Sequence, residues 1–422
     1  MNSLEDSNNS QHGQSRKTEA LLFFISGIGS TLAWTAVLSN LVFYTAHLGE
    51  VSYIYLNLAV YIPLIPISFA QARWDSVFDR KYKSLNSFLF RGSLSYALAV
   101  AAIILTPRAS NSLLYIVFLT LTLGTSSAVL QGALKQMAAF VYKDTGLLQA
   151  AVSSGMQGSS IAVLIVALST GFGDSGDPHG FLAFNYSILG MKVFCWVTFY
   201  WLMTKSSDVL KSMQRRDTAM NSDIYQKISP VGESGPLLDE ESTTTSSPSV
   251  ELDYWTLTKK TAIHCTSLTV TLLASMLVGA YLNRVPSADP DNVEFAQVLF
   301  YAKMIPDVLG RPFTILMKPK SEIFVLSITL LRLIYLPIFL IYTLTDILPR
   351  SDFWITLGLA VFSFFSGYIV TATYQLAPDN LSEDEKSNTP KQANVLNIVF
   401  SSSVLGGLLI GLILLLCIGE YQ

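Results

Sequence analysis

The sequence is short of charge, cysteine and histidine. Asp, Glu, Lys and Arg supply 14% of its 422 residues, against roughly 25% in a typical soluble domain. That shortage argues against a soluble enzyme. Three cysteines, Cys195, Cys265 and Cys417, cannot staple a chain of this length, so a secreted disulfide scaffold is excluded. Each lies in or beside an apolar run and reads as a small hydrophobe. The four histidines, His12, His47, His179 and His264, fall outside those runs or at their edges, and no paired metal ligands appear. There is no HExxH, GxSxG or phosphate loop. No catalytic residue, cofactor or metal is therefore expected. The net charge of −3 offers no electrostatic case for nucleic acid. Residues 1–19 are polar and the first apolar run is too long for an h-region, so no cleavable signal peptide is evident.

What is present is apolar length. Hydrophobic residues make up 51% of the chain, and mean hydropathy is +0.44. A bilayer-crossing helix needs about 20 mostly apolar residues. Eleven stretches qualify: 21–46, 53–72, 89–106, 113–140, 147–170, 181–203, 261–282, 295–317, 323–344, 353–377 and 394–418. They are too long for barrel strands, and lipid leaves no partner for open backbone, so the fold class is an all-α polytopic membrane protein. Lys and Arg set the orientation. With the N-terminus cytoplasmic, the inward segments hold 19 of them and the outward segments only Arg108, Arg284 and Arg350. Eleven spans then put the C-terminus on the extracellular or lumenal side.

The chain divides into a cytoplasmic tail (1–19), six spans (20–204), a polar loop (205–258) and five spans (259–422). The loop is rich in Ser, Thr, Asp and Glu and is expected to be disordered and cytoplasmic. Six spans and five around a cytoplasmic loop suggest two halves rocking about a midplane site. Both halves carry an acid close to a base at the same face, Asp75 to Lys81 and Asp307 to Arg311; ordinary basic flanking also accounts for the first. Small residues fill spans four, five, ten and eleven, including Gly407 and Gly411 in a GxxxG, and imply close helix packing.

Ionisable groups within the membrane cost roughly 2.5–3.5 kcal/mol each on insertion scales and usually face a cavity or a partner. Six stand out: Lys135, Lys192, Lys303, Asp307, Arg311 and Arg332. Lys303, Asp307 and Arg311 are spaced i, i+4, i+8 and share one helix face. They form either a locking ion pair or a carboxylate and guanidinium offered to a polar solute; Arg suits planar multi-donor recognition and Asp accepts from hydroxyls. Gln131, one turn before Lys135, offers the donor and acceptor that a nucleobase edge requires, or an interhelical bond. Lys135 lies near the cytoplasmic end and is expected to snorkel. Lys192 is given a cavity-facing role, and Arg332 is expected to brace Asp307 or a carbonyl. Trp34 and Tyr61 sit at mid-depth, as packing or as a wall for a flat ring.

Four phrases then carry a resemblance. They are Gly27-Ile28-Gly29-Ser30-Thr31-Leu32-Ala33-Trp34 in span one, Leu130-Gln131-Gly132 with Ser154-Gly155-Met156-Gln157-Gly158 in spans four and five, Asp307-Val308-Leu309-Gly310-Arg311 in span eight, and Phe365-Ser366-Gly367-Tyr368 in span ten. In order, span number and long central loop the chain resembles the equilibrative nucleoside transporters over nearly its whole length. The resemblance implies a major-facilitator-like 6+5 bundle with a nucleoside between the halves. It implies that Gln131 reads the base, that Asp307 and Arg311 lie at the ribose, and that Trp34, Leu38, Tyr61, Leu64 and Phe300 line the cavity, with Lys303 and Arg332 supporting or gating. Ala33-Trp34-Thr35 stands where the family often has Pro-Trp-Asn, and Ser366 where it often has Asn, so base preference, purine or pyrimidine, is left open.

The function expected is transport of nucleosides, with nucleobases as a further candidate, by alternating access and facilitated diffusion. The alternatives are a major-facilitator-like carrier of another solute such as a sugar, or a non-transporting receptor or scaffold. The partners expected are nucleoside and lipid bilayer, with no nucleic acid; proton coupling through Asp307 remains open. Glu233, Leu237 and Leu238 fit an acidic dileucine pattern that a sorting adaptor could read. Location is thus an integral membrane protein of the plasma membrane or of an endosomal, lysosomal or vacuolar membrane.

Overall fold

The computed structural model describes residues 2–49, 51–109, 112–141, 146–172, 178–228, 252–289 and 295–419. Helices make up nearly all of it, and no strand occurs among the described residues. In the first half they are α1 (Asn2–Ser39), α2 (Leu41–Leu48), α3 (Val51–Tyr61), α4 (Leu64–Tyr82), α5 (Ser84–Ala109), α6 (Leu113–Phe140), α7 (Gly146–Thr170) and α8 (Pro178–Lys205). Between the halves lie α9 (Ser207–Ile228) and α10 (Tyr254–Lys260). The second half holds α11 (Ala262–Tyr281), α12 (Phe295–Leu316), α13 (Glu322–Leu333), α14 (Tyr335–Leu344), α15 (Asp352–Leu376) and α16 (Thr389–Gly419).

Ten segments among the described residues are long and apolar enough to cross a membrane. The remaining expected span, 295–317, is α12, whose charged Lys303, Asp307 and Arg311 make it too polar for that criterion. It is no less part of the bundle, since it packs along α15 and against α7. The second span is α3 and α4 joined at Ile62-Pro63, because proline cannot donate to the ladder. The ninth is α13 and α14 joined at Ile334.

Helix α1 runs from Asn2 through the expected tail into the first span without a break. One expectation needs correction: the central loop is not wholly without structure, because α9 and α10 lie within 205–258. Composition hid α9, which has no core of its own; Val209 and Met213 are buried in the apolar cluster of the first half, and polar contacts elsewhere add to that anchor. Arg216 pairs with Asp79 at 2.8 Å, the Ser84 N–H donates to Asp217 at 2.9 Å, and Ser212 donates to the Val141 carbonyl at 2.8 Å. A side-chain cap starts α10, where Asp253 accepts from the Trp255 N–H at 2.8 Å.

Glycine decides how closely the central helices approach. A Cβ on Gly27 of α1 would stand 2.6 Å from the Val152 carbonyl oxygen of α7, and one on Gly155 would collide with the Phe24 carbonyl. The same device joins α12 to α15, where a Cβ on Gly310 would meet the Phe364 carbonyl and one on Gly367 the Asp307 carbonyl. Gly407 and Gly411 lie against Met276 and Ala280 of α11, as the GxxxG predicts. Each half has its own apolar cluster toward the expected outer end: Leu32, Tyr44, Phe181 and Phe184 in one, Tyr281, Phe295, Leu299 and Phe339 in the other.

Candidate functional site

The halves meet where α7 packs on α12 and where α4 and α6 pack on α16. The hydrogen bonds joining the halves among the described residues run from mid-bundle to the expected cytoplasmic end. Near the middle, Gln157 approaches Met304 Sδ at 3.6 Å, and Ser68 and Ser401 share a bond at 3.0 Å. Further in, Lys135 donates to Tyr374 Oη at 3.1 Å, Gln136 to Asn394 Oδ1 at 2.7 Å, and Gln375 to the Gly146 carbonyl at 2.9 Å. Tyr254 Oη caps this side by donating to the Ala72 carbonyl.

Within this seam α12 presents its charged stripe. Arg311 donates through Nε and Nη2 to Oδ2 of Asp307, at 3.2 and 3.0 Å, and through Nη1 to the Ser153 carbonyl of α7 at 3.1 Å. One guanidinium thus holds a carboxylate of its own helix and the backbone of the other half. Such charge-assisted bonds are about twice as strong as neutral ones. Sequence spacing marks the Asp307–Arg311 pair; a backbone acceptor such as Ser153 carries no residue signal.

The other expected site residues fall into separate places around this seam. Trp34 and Tyr61 touch edge to face, with centroids 5.7 Å apart and planes at 62°. Leu38 is half-buried and Leu64 buried, on the same two spans. Gln131 is half-buried on α6 and donates to Ser127 Oγ of its own helix at 2.7 Å, which leaves its carbonyl oxygen uncommitted by that bond. Phe300, two turns before Asp307 on the same stripe, is 41% exposed. Lys303 is half-buried.

Three further cations are placed by the structure. Lys135 does not snorkel: it is buried, bonded to Tyr374 and positioned over the rings of Tyr374 and Phe400 at 4.4 and 4.3 Å. Those rings come from the second half, so sequence depth alone could not reveal them. Lys192 does not face the seam; it lies inside the first half, donates to the Gly29 carbonyl of α1 and sits 4.9 Å from the Tyr96 ring. Arg332 braces carbonyls, as one reading expected, with bonds to the Phe362 and Thr271 oxygens at 2.7 and 3.0 Å and to Ser275 Oγ at 2.6 Å.

Beside the seam lies a polar network that only partly follows the loop phrase in the sequence. Asp79 binds Arg91 at 3.1 Å and Arg216 at 2.8 Å, Asp75 binds Arg91, and Gln136 donates to Asp75 at 2.8 Å. Gln136 is also the residue that reaches Asn394, so the network runs from α9 to the second half. The phrase at 75–81 is therefore more than basic flanking. The i, i+4 spacing of Asp75 and Asp79 could have pointed to a shared partner; nothing in the sequence marks Arg216. Among the described residues no group of His, Cys, Asp or Glu could hold a metal.

Residues 116–418 match the family model described as "Nucleoside transporter". The chain belongs to the nucleoside transporter family. It moves nucleosides across a membrane, in which it is an integral protein; family and fold are those of a carrier. A search of curated proteins finds no match. Among solved structures the chain is similar to the proton:xylose symporter XylE of the major facilitator superfamily, bound to 6-bromo-6-deoxy-D-glucose. The likeness covers 94% of this chain and 88% of that one, at 6% identity and a TM-score of 0.54. At that identity it speaks for a major-facilitator-like fold alone, which is the 6+5 bundle expected.

Proposed function

We propose that this nucleoside transporter works by alternating access and facilitated diffusion. Solute sits between the halves. Gln131 reads the base from α6, Asp307 and Arg311 take the ribose hydroxyls, and Trp34, Leu38, Tyr61, Leu64 and Phe300 form the wall. The observation that supports this most is the bonding of Arg311 to Asp307 and to the Ser153 carbonyl of the opposite half. A guanidinium has five N–H donors, and these three bonds leave two for a solute. Hydroxyls that engage these two donors and Asp307 sit beside the contact across the seam, so substrate binding and the hold between the halves are coupled through one guanidinium. The bonds joining the halves cluster toward the expected cytoplasmic end, as in a carrier closed on that side. The pairing of Asp307 with Arg311 supports a cycle without proton coupling.

Glu233, Leu237 and Leu238 lie outside the described residues. Their acidic dileucine pattern supports sorting by an adaptor to an endosomal, lysosomal or vacuolar membrane. Replacing both leucines by alanine should shift the protein to the plasma membrane, as seen by surface labelling.

The deciding test is uptake of radiolabelled adenosine and uridine into proteoliposomes, at equal pH and with an inward proton gradient. Saturable uptake that only equilibrates, indifferent to the gradient, supports facilitated diffusion. Gradient-driven accumulation overturns it in favour of proton coupling. No nucleoside flux by folded protein, with competing sugar flux, assigns the cavity to another solute.

A further inference from the structure

Helix α7 meets two neighbours on opposite faces. Gly155 and Gly158 lie against Phe24 of α1, inside the first half. Ser153 and Gln157, one turn apart, reach the second half. The Ser153 carbonyl accepts from Arg311 at 3.1 Å, and Gln157 Nε2 approaches Met304 Sδ at 3.6 Å. Met304 stands one turn after Phe300 and three residues before Asp307, on the same stripe of α12. Gln157 therefore lies in the seam between the halves, one turn from the carbonyl that holds Arg311. Its amide has a poor partner there, because a thioether sulfur is a weak acceptor. The other amides that bond across the seam, Gln136 and Gln375, donate to oxygen at 2.7 and 2.9 Å. Gln157 is half-buried and makes no other hydrogen bond among the described residues, so its carbonyl oxygen is uncommitted. Its neighbour Ser154 buries a hydroxyl that has no partner either.

We propose that Gln157 is a solute-contacting residue that sets selectivity for the sugar, exchanging Met304 Sδ for a ribose hydroxyl when a nucleoside binds. This rests on the placement of the ribose at Asp307 and Arg311. With the ribose there, its 2′- and 3′-hydroxyls meet a carboxylate on α12 and, across the seam, an amide that both donates and accepts. An oxygen in place of the sulfur gives that amide a full hydrogen bond. A deoxynucleoside leaves it on the sulfur, and a site built to bond a hydroxyl discriminates against the analogue that lacks it. Met304 is the resting partner and takes no part in the recognition.

The test measures uptake of adenosine, 2′-deoxyadenosine and 3′-deoxyadenosine by the purified full chain in proteoliposomes. The quantity read is the ratio of each deoxynucleoside KM to the adenosine KM. In wild type at least one ratio should be roughly three- to tenfold, as one neutral hydrogen bond implies. Gln157→Met keeps the length of the side chain and Gln157→Ala removes it. In both, that ratio should fall toward one. Met304→Leu nearly conserves volume and should keep the wild-type ratio, because it removes only the resting partner. Wild-type ratios near one, or ratios unchanged in both Gln157 variants, overturn the proposal. The same change in Met304→Leu as in Gln157→Met also overturns it, because Gln157 is then a tie between the halves. Asp307→Asn separates this from the site on which it rests. Ratios that fall in Asp307→Asn but hold in the Gln157 variants overturn the role of Gln157 and leave the ribose where it is placed. Ratios that hold in all of them overturn both. Thermal stabilisation of the detergent-solubilised protein by the same three compounds gives the same comparison in a variant that binds without carrying.

Discussion

Arg311 closes two N–H bonds on a single oxygen of Asp307, one helical turn away. It also reaches the Ser153 carbonyl of the other half, so the two residues are not equivalent in their consequences. Asp307→Asn keeps a polar acceptor for Arg311 but removes the charge. A hydrogen bond to a charged group contributes about 1.5–3 kcal/mol, so adenosine KM should rise roughly tenfold or more while the protein stays monodisperse in detergent. Arg311→Ala strips the carboxylate of its partner and unties α12 from α7. It should lose uptake and also lower the melting temperature, because a half-buried charge is left unpaired. An Arg311→Ala protein with wild-type uptake would remove this pair from the site.

Lys135 and Tyr374 make a second cross-half link, and it carries a different cost. Lys135 is a buried cation with aromatic faces but no carboxylate against it. Lys135→Met fills similar volume without charge and should leave the melting temperature unchanged or raised. Tyr374→Phe keeps the ring and removes the hydroxyl, so it should destabilise by about 1–2 kcal/mol. Both variants weaken closure on the expected cytoplasmic side. Cysteines placed there should label faster with a membrane-impermeant thiol reagent in inside-out vesicles. Unchanged labelling in both would mean that the link does not hold the gate.

Much of this arrangement is legible in the sequence, for definite physical reasons. Apolar runs fix the spans because lipid gives exposed backbone no partner. The stripe of α12 is visible because helical period alone aligns residues 303, 307 and 311. What is hidden depends on partners far away in the chain. Lys135 looks like a residue that reaches for the interface until Tyr374 and Phe400 close over it from the second half. Ser153 offers a carbonyl, which every residue has. Helix α9 looks like part of a featureless loop because its own composition cannot build a core; its anchors are the first half's apolar cluster, which takes Val209 and Met213, and Asp79, 137 positions before its Arg216.

The close crossing of α1 and α7 makes a prediction about folding alone. Gly155 has no room for a side chain against the Phe24 carbonyl, and backbone on both helices blocks relief by a rotamer change. Gly155→Leu should force α1 from α7 and yield little monodisperse protein in fluorescence-detected size exclusion. Gly190, which has nothing within 4 Å, is the control, and Gly190→Leu should behave as wild type. Similar profiles for the two variants would show that the crossing tolerates more distance than its geometry implies.

Outside the membrane, Lys260 donates to both oxygens of Glu385 at 2.6 Å, and this bonding holds the Glu385 carboxyl below the usual carboxylate range. A carboxylate depressed on folding stabilises the folded state above its unfolded pKa of about 4.3, and that contribution fades as pH falls through the lower folded value. The pair links the last turn of α10 to the short helix Glu383–Asn388 that precedes α16. The difference in melting temperature between wild type and Glu385→Gln should therefore be flat from about pH 8 to pH 5 and close as pH falls below about 4. The pair is exposed, so the difference should be small and should shrink further in about 1 M salt, where the screening length falls to about 3 Å. A difference that instead grew on acidification would reverse the sign of the coupling and place the stabilising proton on Glu385.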